Sequence, residues 1–139
     1  MRAVGQKYGY YTADPKEAWL IDSTMDHVAD NLEHFVKPQF AQGEKKTELL
    51  FELLTVALPR FLKQVEKRVS GKKFICGDRL TIADFTLGSL LCATIGNENN
   101  ANHYAMSHVA KAYPGVCAYL ENFKNEMKDY LATRPPAPF

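Results

Sequence analysis

The chain has 139 residues, 46% hydrophobic and 24% charged, and its 17 basic and 16 acidic side chains leave a formal net charge of +1. That length suits one domain burying roughly two-thirds of its extended surface, and the near-neutral balance gives no electrostatic case for a nucleic-acid or anionic-membrane partner. Three cysteines, Cys76, Cys92 and Cys117, are an odd number, which argues against a disulfide framework and predicts a reducing, cytoplasmic setting, while the longest weakly polar run, 85–96, is too short to span a bilayer.

The first eleven residues, MRAVGQKYGYY, begin as though inside a helix and carry Tyr8, Tyr10 and Tyr11, a start that reads as cut from something longer. The tyrosines are expected to pack as amphipathic residues. Asp14-Pro15-Lys16-Glu17 predicts a helix start, with an Asp cap, Pro where its missing N–H costs nothing, and Glu reaching back. Ala18, Ile21, Met25, Val28, Leu32 and Phe35 then recur at spacings of three and four, predicting one continuous inward stripe. Pro38 bends or ends this segment before Gly43.

A second helix is predicted over 44–70, with Leu50, Leu53, Leu54, Ala57, Leu58, Phe61, Leu62, Val65 and Val69 inward and Gly71 as its left-handed cap. Apolar periodicity continues on both sides of Pro59, which predicts a kink and not a break. Lys63, Glu66, Lys67 and Arg68 fall mainly on the other face and are expected to be solvated. Residues 72–79 have no second strand-like segment to pair with. A third helix from Thr81 carries Ile82, Phe85, Leu87, Leu90, Leu91, Ala93 and Ile95 nearly all round, predicting the buried central helix, with a stop at Gly96. NENNAN, 97–102, predicts a surface loop. A short helix over 104–112 follows. Pro114 then opens another, with Val116, Tyr119, Leu120 and Phe123 inward, and Asn125 is expected to cap a last one ended by Arg134-Pro135-Pro136. All strong segments are helical, so the fold class is all-α, a compact bundle.

Gly77 to Phe85 (GDRLTIADF) contains a complete helix-start device. Thr81 is the N-cap, Asp84 at N3 returns a hydrogen bond to the Thr81 N–H, and Leu80 before the cap can pack on Phe85 as a hydrophobic staple. Asp22, Asp26 and Asp30 share one helix face, with Glu33 nearby, and read as a solvated acidic stripe or a functional one. One helix face cannot wrap six oxygens round a divalent cation. His27 and His34 lie roughly 10 Å apart by helical rise, and His103 and His108 add no ligand set, so no metal site is expected. The cysteines lie on or beside apolar segments, where thiols are inert, and Gly77, Gly88 and Gly96 are isolated and form no phosphate loop.

Phe74-Ile75-Cys76-Gly77-Asp78-Arg79-Leu80-Thr81-Ile82-Ala83-Asp84 resembles the capping-box segment in the helical C-terminal domain of the cytosolic glutathione S-transferases. Tyr8-Gly9-Tyr10-Tyr11 is similar to the end of that family's interdomain linker, 14–30 to its first C-domain helix, and YLATRPPAPF to its chain terminus; the flavour is that of the mu, pi and sigma group. The resemblance implies a linker-like segment at 1–13 and a glutathione S-transferase C-terminal-like helical domain at 14–139. The thioredoxin-like domain that holds and activates glutathione in the family has no counterpart in this sequence. By resemblance, Phe40 matches an electrophile-pocket position often held by tyrosine, and Asp30 matches a carboxylate that reaches across the dimer to the amino end of glutathione. No catalytic residue and no cofactor are implied for this chain, and glutathione is a co-substrate only where the missing domain is supplied. The partners implied are a second copy or another protein. The alternative is a non-catalytic scaffold, as family-derived domains are in translation elongation factors and aminoacyl-tRNA synthetase assemblies.

Overall fold

A computed structural model describes residues 1–138. In chain order the helices are α1 (Arg2–Tyr8), α2 (Pro15–Phe40), α3 (Gly43–Glu52), a π-helical turn (Leu53–Ala57), α4 (Leu58–Val69), α5 (Ile82–Ala93), α6 (His103–Ala110), α7 (Pro114–Glu126) and α8 (Lys128–Thr133). Among the described residues there is no strand, only an isolated bridge between Phe74 and Gly77.

The start of α2 follows its local chemistry: Pro15 is the first helical residue and Asp14 Oδ1 accepts from the Glu17 N–H at 2.8 Å. Pro38 is buried within the helix, which ends two residues later at Phe40, with Ala41 as its C-cap. The inward row is Ile21, Thr24, Val28, Asn31, Phe35 and Pro38. The expected stripe therefore needs correction. Leu32 is 45% exposed, and polar Thr24 and Asn31 take inward positions. They are tolerable there because each is bonded: Thr24 Oγ1 donates to the Leu20 carbonyl at 2.7 Å and accepts from Arg68 Nη1 at 2.6 Å, and Asn31 Nδ2 donates to the His27 carbonyl at 2.8 Å.

The second expected helix is unbroken from Gly43 to Val69, and its continuity past Pro59 has an identifiable device. Pro59 has no N–H, and its ring would meet the carbonyl four residues back. The turn before it is widened, the Leu58 N–H bonding to the Leu53 carbonyl five residues earlier. Tyr113 then donates its hydroxyl to the Pro59 carbonyl at 3.0 Å. The charged face of α4 is only partly solvated. Lys63 and Lys67 are exposed, but Glu66 and Arg68 turn inward. Glu66 accepts from the Gly115 N–H at 3.0 Å and the Val116 N–H at 2.8 Å, capping the start of α7 from a different helix.

Helix α5 is the buried centre, with Ile82, Ala83, Asp84, Leu87, Gly88, Leu90, Leu91 and Cys92 all buried. It ends at Ala93, so Ile95 lies beyond the helix, in the turn that follows. Both halves of the capping box at Thr81 and Asp84 are present. Asp84 also does more than cap. Its carboxylate accepts from the Thr81 N–H and hydroxyl, each at 2.8 Å, from the Ile75 N–H at 2.9 Å and from the Tyr119 hydroxyl at 3.2 Å. Burial, reinforced by the Asp84 charge, holds the Tyr119 phenol far above its ordinary range. Leu80 and Phe85 both pack against the core, and the aromatic partners of Phe85 are Tyr10, at 5.1 Å between ring centres, and Phe123, at 6.5 Å. A Cβ on Gly88 would stand 2.6 Å from the Phe123 ring, so the α5–α7 crossing requires a residue without one. Asn125 lies inside α7, which runs to Glu126, and α8 follows with no side-chain cap. Apolar continuity through Phe123 and Met127 carries α7 past the expected stop.

Residues 2–8 of the linker-like segment form α1, docked on the start of α5. The Ile82 N–H donates to the Tyr10 carbonyl at 2.9 Å, and a Cβ on Gly5 would stand 2.7 Å from Ile82 Cγ2. Among the described residues no helix is long and apolar enough to cross a membrane.

Replacing Asp84 by Ala strands the Ile75 N–H and the Tyr119 hydroxyl in the core and removes the cap. The expected loss is at least about 3 kcal/mol, from an N-cap worth about 0.5–2 and two buried unsatisfied donors worth about 1–3 each. A urea midpoint for Asp84→Ala equal to that of the parent chain would overturn this account.

Candidate functional site

On α2, Leu32, Val36 and Phe40 recur every four residues and so form one edge of the helix. This edge faces Leu90, Ala93 and Thr94 on the second half of α5, and Asn100 closes the end, leaving an apolar cleft of about 200 Å³ also bordered by Phe35 and Gln39. Phe40 is 74% exposed at its mouth. The polar groups on the far wall are already committed. Thr94 Oγ1 donates to the Leu90 carbonyl at 2.7 Å, while Asn100 accepts from the Asn102 N–H at 2.9 Å and donates to the Ala93 carbonyl at 3.4 Å. Asn100 corrects the expectation of a surface loop over 97–102. Only 3% exposed, it serves a carbonyl at the end of α5, which has no partner in the helix itself.

Asp30 lies exposed on α2, ten residues before Phe40 or about 15 Å by helical rise, and does not line the cleft. It makes no hydrogen bond or ion pair among the described residues. The acidic row it belongs to is not uniform. Asp22 Oδ1 accepts from Arg2 Nε at 2.8 Å and Oδ2 from the Tyr11 hydroxyl at 2.9 Å, fastening α1 to α2. Asp26 is solvated, and Glu33 pairs with Lys37 at 2.7 Å on the surface.

The remaining reactive side chains are held quiet. Burial pushes the Cys76 thiol up to about 11, and Cys92 and Cys117 are raised for the same reason. His27 stacks on Phe61 at 5.1 Å, and burial with the nearby Arg68 charge lowers its pKa. Among the described residues no group of three or more His, Cys, Asp or Glu is placed to hold a metal ion. Capping residues Thr81 and Asp84 lie in the core at the opposite end of α5 from the cleft and do not line it.

Phe40 was marked by the resemblance alone, and sequence periodicity, which placed Leu90 inward on the third helix, did not join it to Phe40 or to Val36, Gln39, Thr94 and Asn100. No local signal joins them, because the two walls are some fifty residues apart in the chain and meet only when α2 packs on α5. Trp19 was also passed over. It is 69% exposed and forms an apolar shelf with Pro15, Lys16 and Leu20.

The family model for the glutathione S-transferase C-terminal domain matches residues 29–134. Among curated proteins, the chain is 34% identical to glutathione S-transferase P of Bos taurus over 139 residues, an alignment covering 96% of this chain and 60% of that protein. It is 26% identical to glutathione S-transferase P 1 of Xenopus laevis over 133 residues, covering 94% and 59% respectively. The chain thus spans about three-fifths of the length of these relatives. Among solved structures, prostaglandin synthase D of Nilaparvata lugens superposes with a TM-score of 0.78 at 20% identity, covering 96% of this chain and 65% of that one. The Pi-class glutathione S-transferase of Onchocerca volvulus superposes with a TM-score of 0.72 at 19% identity, covering 95% and 61%. These two likenesses establish the fold.

Hydrogen bonding to Arg2 holds the Asp22 carboxyl below its ordinary range. The docking it provides is fully present above the unfolded-state value, about 3.9, and is lost as pH falls through the lower folded value. The amide resonances of Gly5 and Ile82 are therefore expected to titrate below about pH 4, and in Asp22→Asn to hold the acid-form positions throughout. An identical titration in Asp22→Asn would refute the role of this carboxylate.

Proposed function

The chain belongs to the glutathione S-transferase family, of which it carries the C-terminal helical domain, and on that premise we propose that it supplies the apolar electrophile wall of a glutathione-conjugating site and performs no conjugation alone. The observation carrying this reading is the α2–α5 cleft, about 200 Å³ and walled by Leu32, Val36, Phe40 and Leu90. A concave, mostly apolar surface of this kind removes water from an apolar ligand and gains roughly 25 cal/mol for each Å² it covers. Phe40 keeps the mouth apolar where a tyrosine would offer a hydroxyl, so binding here rests on contact area and not on a phenolic proton.

In the conjugation, the glutathione sulfur attacks an electrophilic carbon held against this wall. The cleft itself contains no titratable side chain, so nothing in it can take the thiol proton. Activation of the thiol is assigned to a thioredoxin-like domain supplied to this one. Asp30, exposed and unpaired on α2, is free to meet a cationic group arriving from another subunit, which supports its role as the contact to the amino end of glutathione in a homodimer.

A second reading has its own observation. The Trp19 shelf, and separately the exposed Met1, Val4 and Tyr8 at and before α1, present apolar surface, and such surface favours association with another protein. A scaffold role would use that surface and leave the cleft idle.

The isolated chain should bind an apolar fluorescent probe such as anilinonaphthalene sulfonate, and Val36→Asp should weaken that binding about tenfold, since a charge at the wall must then be desolvated. The same chain should leave the reaction of glutathione with chlorodinitrobenzene at its uncatalysed rate. Turnover by the 139-residue protein alone would defeat the proposed division of labour, and probe binding indifferent to Val36→Asp would favour the scaffold.

A further inference from the structure

His27 is a titratable ring that the cleft and its chemistry leave unused. It sits half-buried on the face of α2 turned to α4, stacked on Phe61 with 5.1 Å between ring centres and planes 13° apart. Asn31, one turn on, fixes how the ring is held. Its Nδ2 donates to the His27 carbonyl at 2.8 Å and lies 3.4 Å from the ring Nδ1. A carboxamide nitrogen only donates, so Nδ1 is the acceptor and the ring proton is on Nε2. Nε2 is buried and has no hydrogen-bond partner, and among the described residues no other buried side-chain nitrogen or oxygen is left in that condition. The neutral ring is already short of one bond, which its stacking on Phe61 must outweigh.

A second proton has no good place on this ring. It must enter at Nδ1, where it meets the Asn31 donor in place of a lone pair. It also puts a charge on a group withdrawn from water and faced from α4 by two cations, Arg68 and Arg60. Arg68 is not free to swing aside, because its Nη1 donates to Ser23 Oγ at 3.0 Å and to Thr24 Oγ1 at 2.6 Å on α2. Against these stand the Asp30 carboxylate on α2 itself and the pull of the Phe61 carbonyl, and they are outweighed: burial, and after it Arg68, lowers the pKa of His27. We propose that His27 is a pH-sensitive latch between α2 and α4, closed while the neutral ring lies on Phe61 and opened when protonation drives the ring out to solvent, with the Arg68 bonds to Ser23 and Thr24 left to hold the two helices. The sign follows from which form the fold prefers. Stability contributed by the latch is fully present above the unfolded-state value, about 6.5, and is lost as pH falls through the lower folded-state value. The Asp22 docking of α1 fails only below about pH 4, so the two events are separate in place and in pH. Nothing in the latch depends on what the cleft binds.

Proton NMR of the full chain should show the His27 Cε1–H resonance, assigned by its loss in His27→Phe, titrating with a midpoint below about 6.5. As pH falls through that midpoint, hydrogen-exchange protection of the Asn31 and Val65 amides should drop while that of Leu87 and Tyr119, in the α5–α7 core, holds. His27→Phe keeps an aromatic ring on Phe61 and takes no proton, so its Asn31 and Val65 protection should stay constant over the same range and its urea midpoint should fall less than that of the parent chain. His27→Gln, smaller and equally unable to take a charge, gives the same comparison should the larger ring prevent folding. A His27 midpoint at or above about 6.5 overturns the latch. So does protection that holds in the parent chain through its own titration, or that is lost equally in the parent and in the variants.

Discussion

The buried carboxylate of Asp84 is the interaction on which the rest of this bundle hangs. An anion fully out of water is tolerable only when its oxygens are saturated with donors, and this one accepts from Thr81 twice, from Ile75 and from Tyr119. Those donors come from the loop before α5, from the cap of α5 and from α7. Satisfying one charge therefore fastens the loop before α5 and the start of α5 to α7, which lies 35 residues further along the chain. The consequence reaches the cleft. Its far wall, Leu90 to Thr94, is the other end of the helix that Asp84 nucleates and orients, so the geometry of the cleft is set about two turns away from it.

The same economy recurs where a helix would otherwise carry a defect. Pro59 leaves the α3–α4 segment short of a donor, and the widened turn before it, together with the Tyr113 hydroxyl on its carbonyl, absorbs the disturbance. Glu66 serves α7 in the same manner, meeting backbone N–H groups that no residue of α7 itself could reach. Arg68 spans to Ser23 and Thr24 and makes polar positions on α2 acceptable in the core. Each of these side chains reads as surface charge in isolation and is structural in place.

For function, the arrangement concentrates apolar contact in a cleft free of acid–base machinery and leaves the titratable groups elsewhere, either solvated, as with Asp26 and Asp30, or engaged in docking, as with Asp22. Such a division is in keeping with the proposed part of this domain, to hold one reactant while another domain activates the second. It also explains why Phe40 and Asp30, linked by resemblance, do not share a pocket here. They lie on one helix but serve different directions, Phe40 toward α5 and Asp30 toward solvent.

Helix class, the cap at Thr81 and Asp84, the Asp14-Pro15 start and the continuity of the helix past Pro59 were all legible in the sequence, because each is decided within about one turn of chain by steric and hydrogen-bonding rules that operate locally. The central place of α5 was legible too, since a helix apolar nearly all round has nowhere else to go. The stripe on α2 was only half legible. Periodicity counted Leu32 as inward and could not admit Thr24 or Asn31, because what makes a polar residue acceptable inside is a partner, and the partner of Thr24 is Arg68, 44 residues away. The inward turn of Glu66, the burial of Asn100 and the membership of the cleft were invisible for the same reason. Local patterns determine which segments fold and how they begin and end; only packing decides which faces meet, and with that which polar groups are satisfied inside the core.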